Sequence, residues 1–301
     1  MKNQLGKNMG ISKFSKIPHR SVFKYLELET ISSCNRNCPT CLRESYPNKE
    51  KQIHKGRFPN TSTIGEGVKM KDELFYDIIE QSLRMGFSGT INLQHYNEPL
   101  LDDRLVDFAK YIKGKKQIVG PLLLCSNFDL LTEEIAKNMD GVFDIIQVAL
   151  YMTREKQEKR EMWINSLFGK TKIIYTNGVH VPFHYNDIWN QSELVMKHSL
   201  NTCWSYNAHL YIAYDGTILN CCEDYGGNFG LGNVNEMSID EIWNGEKYKK
   251  LVNDLSVSGG RAKYDYCSEC PKTGQGANNV DGLIDYGFGI SESEFVDVKL
   301  Y

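Results

Sequence analysis

Nowhere does the chain approach the run of roughly 20 apolar residues that a membrane-spanning helix needs, and Met1 to Arg20 is polar and basic, without the apolar core of a secretory signal. These two absences argue against a membrane partner and lead us to expect a cytoplasmic protein. An excess of charge is missing as well. The 35 Lys and Arg nearly balance 38 Asp and Glu, and a net charge of -3 gives no reason to expect nucleic acid or an anionic membrane as the main partner. Residues 1–22 hold no acid beside Lys2, Lys7, Lys13, Lys16 and Arg20, the composition of a flexible basic tail. No Arg occurs between Lys172 and Cys203, which limits strong anion recognition there. Internal repeats and low-complexity tracts are absent too.

What is present suits a folded enzyme-sized chain: 301 residues, 41% hydrophobic, enough for one large or two moderate domains with a real core. Short apolar runs alternate with helix-like segments. Phe23 to Ile31, Thr90 to Tyr96, Pro121 to Asn127, Ile145 to Tyr151 and Lys172 to Thr176 read as strands. Asp72 to Met85 carries an apolar face of Leu74, Phe75, Ile78, Ile79 and Leu83 and stops at Gly86, and Thr132 caps a helix running to Met139. Strand–helix alternation predicts α/β architecture with a parallel sheet, curled into a barrel or left open and doubly wound. After about residue 199 the character changes. Leu210 to Tyr214 and Thr217 to Cys221 flank Asp215-Gly216, which predicts a hairpin with a type I′ turn. Ser238 and Glu241 have capping-box spacing and open a helix through Trp243, Tyr248 and Leu251.

Seven of the nine cysteines fall into close groups, which reads as metal ligation and not as disulfides. Cys34, Cys38 and Cys41 are spaced x3 then x2, directly after the first strand candidate. Clusters of four irons are normally closed by four thiolates, so a compact triplet leaves one iron open. An open metal position is a reaction site. The run resembles the C-x3-C-x2-C signature of the radical S-adenosylmethionine (SAM) superfamily. That resemblance implies a partial (β/α)6 TIM-like barrel, with the cluster loop after its first strand. It also implies that the amino and carboxylate groups of SAM occupy the free iron. One electron from the reduced cluster then cleaves SAM to methionine and a 5′-deoxyadenosyl radical, which takes a hydrogen atom from an unactivated C–H bond. Residues 44–69 form a long loop leaving the cluster, a lid or an ordinary surface excursion.

Cys203, Cys221, Cys267 and Cys270 bracket the hairpin and helix. By themselves these cysteines suit a structural zinc site as well as a closed iron–sulfur cluster. Their spacing, with Gly216 four residues before Cys221 and with Gly232-Asn233-Val234 and Glu241-Ile242-Trp243-Asn244 beyond, resembles the start of the SPASM domain of radical SAM enzymes. No cysteine follows Cys270, so the likeness is to the shortened Twitch form with one auxiliary cluster. The chain then divides into a tail (1–22), a partial barrel (23–198), a small Twitch module of β-hairpin plus helix (199–275) and an extension (276–301). It would carry two [4Fe-4S] clusters and SAM. Adjacent Cys222 is an alternative ligand to Cys221.

The resemblance also suggests SAM contacts. Tyr96-Asn97-Glu98-Pro99 stands where many relatives have Gly-Gly-Glu-Pro, so Glu98 is similar to the carboxylate that accepts the SAM amino group. Asn97 replaces the usual second Gly beside it. Ser126 and Asn127 are candidates for the SAM carboxylate or ribose, and Thr40 sits where the family often has an aromatic residue near the adenine. A closed auxiliary cluster can accept an electron from a substrate radical, which favours oxidation of an alcohol carbon in a polar small molecule such as a sugar or cyclitol. Such a reaction needs a base; Glu223 and His184, among the polar set His180, His184, Tyr185 and Asp187, are candidates. Epimerisation would instead use a thiol hydrogen donor, Cys222 or Cys125. A peptide-modifying maturase and a zinc-stabilised binding protein are the remaining readings. A flavodoxin or ferredoxin is the reductant that the resemblance implies.

Overall fold

The computed structural model describes residues 19–36, 67–176, 203, 208–222, 224, 227 and 229–268. Seven strands form a single sheet in the order β5-β4-β3-β2-β1-β6-β7. They are β1 (Tyr25–Leu28), β2 (Thr90–Asn92), β3 (Leu122–Ser126), β4 (Ile145–Ala149), β5 (Lys172–Thr176), β6 (His209–Ile212) and β7 (Ile218–Leu219). Every neighbouring pair from β5 to β6 is parallel, and only β7 runs antiparallel, to β6. Each strand candidate in the sequence is a strand. The runs of β3 and β4 are nearly continuous in apolar residues because a parallel sheet is covered on both faces.

Helices α1 (Asp72–Arg84), α2 (Leu105–Lys113), α3 (Glu133–Met139) and α4 (Arg154–Leu167) connect successive strands from β1 to β5. In α1 the expected face is the buried one: Leu74, Phe75, Ile78 and Ile79 pack inward, and Gly86, at φ 84°, turns the chain away with its N–H on Leu83 O at 2.9 Å. Phe75 stacks on Phe108 of α2 with 3.8 Å between ring centroids, a pairing worth about 1 kcal/mol beyond the area it buries. Thr132 caps α3 by accepting from Ile135 N at 3.2 Å. None of the described helices is long and apolar enough to cross a membrane.

The hairpin after residue 208 supplies the last two strands of this same sheet: β6 lies alongside β1, Tyr25 opposite His209 and Leu28 opposite Ile212. Its turn differs from the type I′ expectation. Gly216 N donates to Ala213 O at 2.8 Å and Ala213 N to Thr217 O at 3.0 Å, so the loop has three residues, of which Gly216 alone has a positive φ, 84°. A type I turn closed by a left-handed residue needs one glycine, where type I′ needs two permissive residues. The capping box forms as expected and starts α5 (Ile239–Trp243), followed by α6 (Glu246–Leu255) and the short α7 (Asp265–Ser268). Trp243 ties this end to the beginning of the chain. Its indole N–H donates to Arg20 O at 2.8 Å, and its ring lies 5.4 Å from that of Phe23.

Candidate active site

Parallel α/β sheets present their functional loops at the carboxyl ends of the strands. Here the segments leaving β1, β2, β3 and β4 enclose a cavity of about 290 Å³ lined by Cys34 and Arg36, by Gln94 to Glu98, by Cys125, Ser126 and Asn127, and by Ala149 and Tyr151. Cys34 of the first triplet therefore shares a cavity with Asn97, Glu98, Ser126 and Asn127, four of the residues expected around SAM. Cys38, Thr40 and Cys41 lie outside the described residues, as do His184, Glu223 and Cys270.

Glu98 is the centre of this arrangement. Its carboxylate is 2% exposed and accepts three hydrogen bonds: on Oε1 from Ser126 Oγ at 2.6 Å and Leu100 N at 3.0 Å, on Oε2 from Asn127 N at 2.9 Å. Its own N–H donates to Ser33 O at 2.9 Å, beside Cys34. Burial, opposed by those three bonds and reinforced by the Asp129 charge, pushes the carboxyl up to about 7. A carboxylate offers about four acceptor positions, so one remains, on Oε2. Next to it, Asn97 accepts from His95 N through Oδ1 at 3.0 Å, while its buried Nδ2 has no partner among the described residues. A spare acceptor beside an orphaned donor fits the ammonium and carboxylate of an α-amino acid, which is the polar end of SAM.

The loop that carries the first cysteines is anchored by residues outside the expected set. Arg36 forms a two-pronged pair with Asp129, Nε to Oδ2 at 2.5 Å and Nη2 to Oδ1 at 2.7 Å, and lies 4.9 Å over the Tyr151 ring. Asn35 accepts from Asn127 Nδ2 at 2.8 Å. The backbone between these anchors is strained: buried Phe128 has φ 53°, a left-handed conformation that costs a bulky residue about 1–3 kcal/mol. Its carbonyl is held by Arg160 Nη2 at 2.8 Å.

Two further residues on the cavity side were not anticipated. Glu27, inside β1, meets His95, beyond β2, in a buried hydrogen-bonded pair. The signal was available: Tyr25, Glu27 and Glu29 alternate with Leu26 and Leu28, and an acid inside a covered strand is rarely idle. Cys125 also faces this region; desolvation, helped by the charge of Glu27, pushes its thiol well up, so it is held as S–H.

Tyr96 connects the cavity to the second cysteine group by donating its hydroxyl to Cys222 O. Burial raises the Cys221 thiol, and the charges of Cys222, Asp224, Cys267 and Cys203 act on it in the same direction, so these groups are neighbours. Cys203 N is fixed by Leu255 O at 2.9 Å, at the end of α6. Among the described residues no three His, Cys, Asp or Glu side chains sit at ligating distance. The donor set itself, soft thiolates held by a hairpin and a helix, suits an iron–sulfur cluster or zinc.

A model of the SPASM iron–sulfur cluster-binding domain matches residues 203–271. Over 256 residues, 83% of this chain and 93% of the relative, the sequence is 25% identical to the S-adenosyl-L-methionine-dependent 2-deoxy-scyllo-inosamine dehydrogenase of Niallia circulans. The chain carries a SPASM-type iron–sulfur domain at residues 203–271 and is similar over most of its length to a SAM-dependent dehydrogenase. Solved structures agree on the fold. BtrN in complex with AdoMet and 2-DOIA superposes with a TM-score of 0.61 at 23% identity, covering 86% of this chain and 94% of that one. Native anSMEcpe with bound AdoMet and the Cp18Cys peptide gives 0.52 at 12%, covering 83% and 88%. The fold is thus the partial barrel expected from the sequence, and residues 203–271 match an iron–sulfur cluster-binding domain.

Proposed function

We propose that the enzyme oxidises an alcohol carbon of a polar cyclitol or sugar to a ketone, using two [4Fe-4S] clusters and an electron from a flavodoxin or ferredoxin. One observation carries this reading. The cavity that contains Cys34 and the Asn97–Glu98 pair is joined through Tyr96 to the SPASM segment at Cys222, and a cluster held by that segment would be the electron acceptor for a substrate radical formed in the cavity. Similarity to a cyclitol dehydrogenase over most of the chain supports the same class of substrate. Cys34, Cys38 and Cys41 would hold the first cluster, and Cys203, Cys221, Cys267 and Cys270 the second. Bound SAM supplies the radical that removes hydrogen from carbon. Glu98 would accept a hydrogen bond from its amino group and Asn97 Nδ2 would donate one to its carboxylate, while Ser126 and Asn127 hold Glu98 in place. Arg36, Asp129 and Tyr151 fix the loop.

The test is anaerobic reconstitution followed by iron and sulfide analysis, then dithionite reduction with SAM and 2-deoxy-scyllo-inosamine. Two clusters correspond to about eight irons per chain, and Cys267→Ala should reduce that to about four. The expected products are 5′-deoxyadenosine and a ketone in equal amounts. A protein that takes up zinc and no iron would end this reading.

Cys125 gives a second reading some support. Epimerisation needs a thiol that returns a hydrogen atom, and Cys125 lines the cavity with its S–H retained. Recovery of substrate carrying solvent deuterium, without ketone, would establish epimerisation in place of oxidation.

A further inference from the structure

At the cavity wall, His95 pairs with the half-buried Glu27 behind it, an acid–imidazole pair given no role so far. Parallel pairing sets Glu27 in register with Asn92, and His95 follows shortly after. Nδ1 of His95 bonds to Glu27 Oε1, while Glu27 Oε2 accepts from Asn92 Nδ2 at 3.3 Å. A carboxylate at Nδ1 holds the ring proton there, which leaves a lone pair on Nε2. His95 is 7% exposed, lines the cavity, and its Nε2 is buried without a hydrogen-bond partner among the described residues. An unmet buried polar group destabilises the folded state, and a donor on a bound molecule removes that cost. The ring is fixed on its flanks by Tyr96 and Tyr211, at 4.2 and 5.3 Å between centroids.

The geometry points to Glu27–His95 as the proton-accepting dyad of the oxidation: His95 Nε2 takes the hydroxyl proton of the carbinol, and Glu27 is its positioning residue. This inference rests on the alcohol oxidation proposed above. The carbinol C–H bond breaks homolytically, its hydrogen atom going to the 5′-deoxyadenosyl radical. The O–H bond breaks as its proton moves to Nε2, forming an imidazolium that Glu27 stabilises. The remaining electron would be taken up by the oxidised iron–sulfur cluster that the SPASM segment would hold, and the carbon–oxygen double bond closes. One alcohol gives one ketone, one 5′-deoxyadenosine, one proton and one electron. Tyr96, which contacts His95, also bonds to Cys222 O, so a single residue joins His95 to the SPASM segment.

The experiment uses reconstituted full-length enzyme and 2-deoxy-scyllo-inosamine deuterated at its carbinol carbons. It measures ketone formed per deuterated 5′-deoxyadenosine, and binding of the same probe to unreduced enzyme with SAM by equilibrium dialysis. In His95→Ala the ratio should fall about 100-fold, as expected for loss of a general base, and added imidazole should restore part of it. Glu27→Gln should give a smaller fall, and probe affinity in His95→Ala should weaken about fivefold for one lost hydrogen bond. The dyad is overturned if the His95→Ala ratio stays within about threefold of wild type. It is equally overturned if deuterium transfer collapses with ketone formation and imidazole restores neither. A wild type that releases no 5′-deoxyadenosine, or that cleaves SAM and yields no ketone from the probe, removes the proposed function itself, a separate and recognisable failure.

Discussion

Glu98 combines three hydrogen bonds with almost complete burial, and burial wins: the carboxyl is pushed from 4.5 up to about 7. The sign of the consequence follows from proton counting. Between those values the folded enzyme binds more protons at this site than the unfolded chain, so Glu98 favours folding at low pH and its contribution is lost as pH rises toward 7. A hydrogen bond from the incoming amino group reverses the balance by stabilising the carboxylate. SAM binding at pH 7 should therefore release about half a proton from Glu98, since the group is half protonated there. Calorimetric titration in two buffers of different ionisation enthalpy measures the total release, and Glu98→Gln should lower it by that amount. Release unchanged in the variant would assign the amino group to another acceptor.

At the scale of elements, the hairpin depends on a single backbone position. Gly216 has φ 84°, and a Cβ there would come within 2.6 Å of Asn235 Nδ2 and 2.8 Å of Asn233 Oδ1. Gly216→Ala should cost about 1–2 kcal/mol from the left-handed backbone alone, read as a lower urea midpoint at unchanged slope. Ser238→Ala removes half of the capping box that starts α5 and should cost about 1 kcal/mol by the same measurement. Both features were legible because caps and turns are written in a few adjacent residues. α1 was legible for a different reason, an apolar face that contrasts with a polar one. By that criterion α4 was invisible: Gln157 and Ile164 are its buried residues, its exposed face carries the Arg154–Glu158 and Glu155–Lys159 pairs, and little periodicity remains to detect. In the site, Cys34 and the Asn97–Glu98 pair could be found from local spacing. The Glu27–His95 pair and the Arg36–Asp129 clamp are 68 and 93 residues apart in sequence and come together only through strand register. The pairing of β6 with β1 has the same origin.

At the scale of the molecule, the apolar core runs without a break from Leu26 and Phe75 through Leu210 to Trp243, Tyr248 and Leu255. The hydrogen bonds of the sheet cross the same boundary between β1 and β6, and Ile239 N reaches back to Gln81 Oε1 at 2.7 Å. A contiguous core with shared backbone pairing unfolds as one cooperative unit. Trp243 tests this directly, because it is fully buried in the C-terminal half yet holds Arg20 and Phe23 at the other end of the chain. Trp243→Ala should cost about 3–5 kcal/mol as a large-to-small core change. Hydrogen exchange should then show protection falling by the same amount in β1 to β4 as in β6, α5 and α6. A loss confined to residues 208–268 would mean that the SPASM segment opens independently of the barrel, and that the shared core is too weak to couple them.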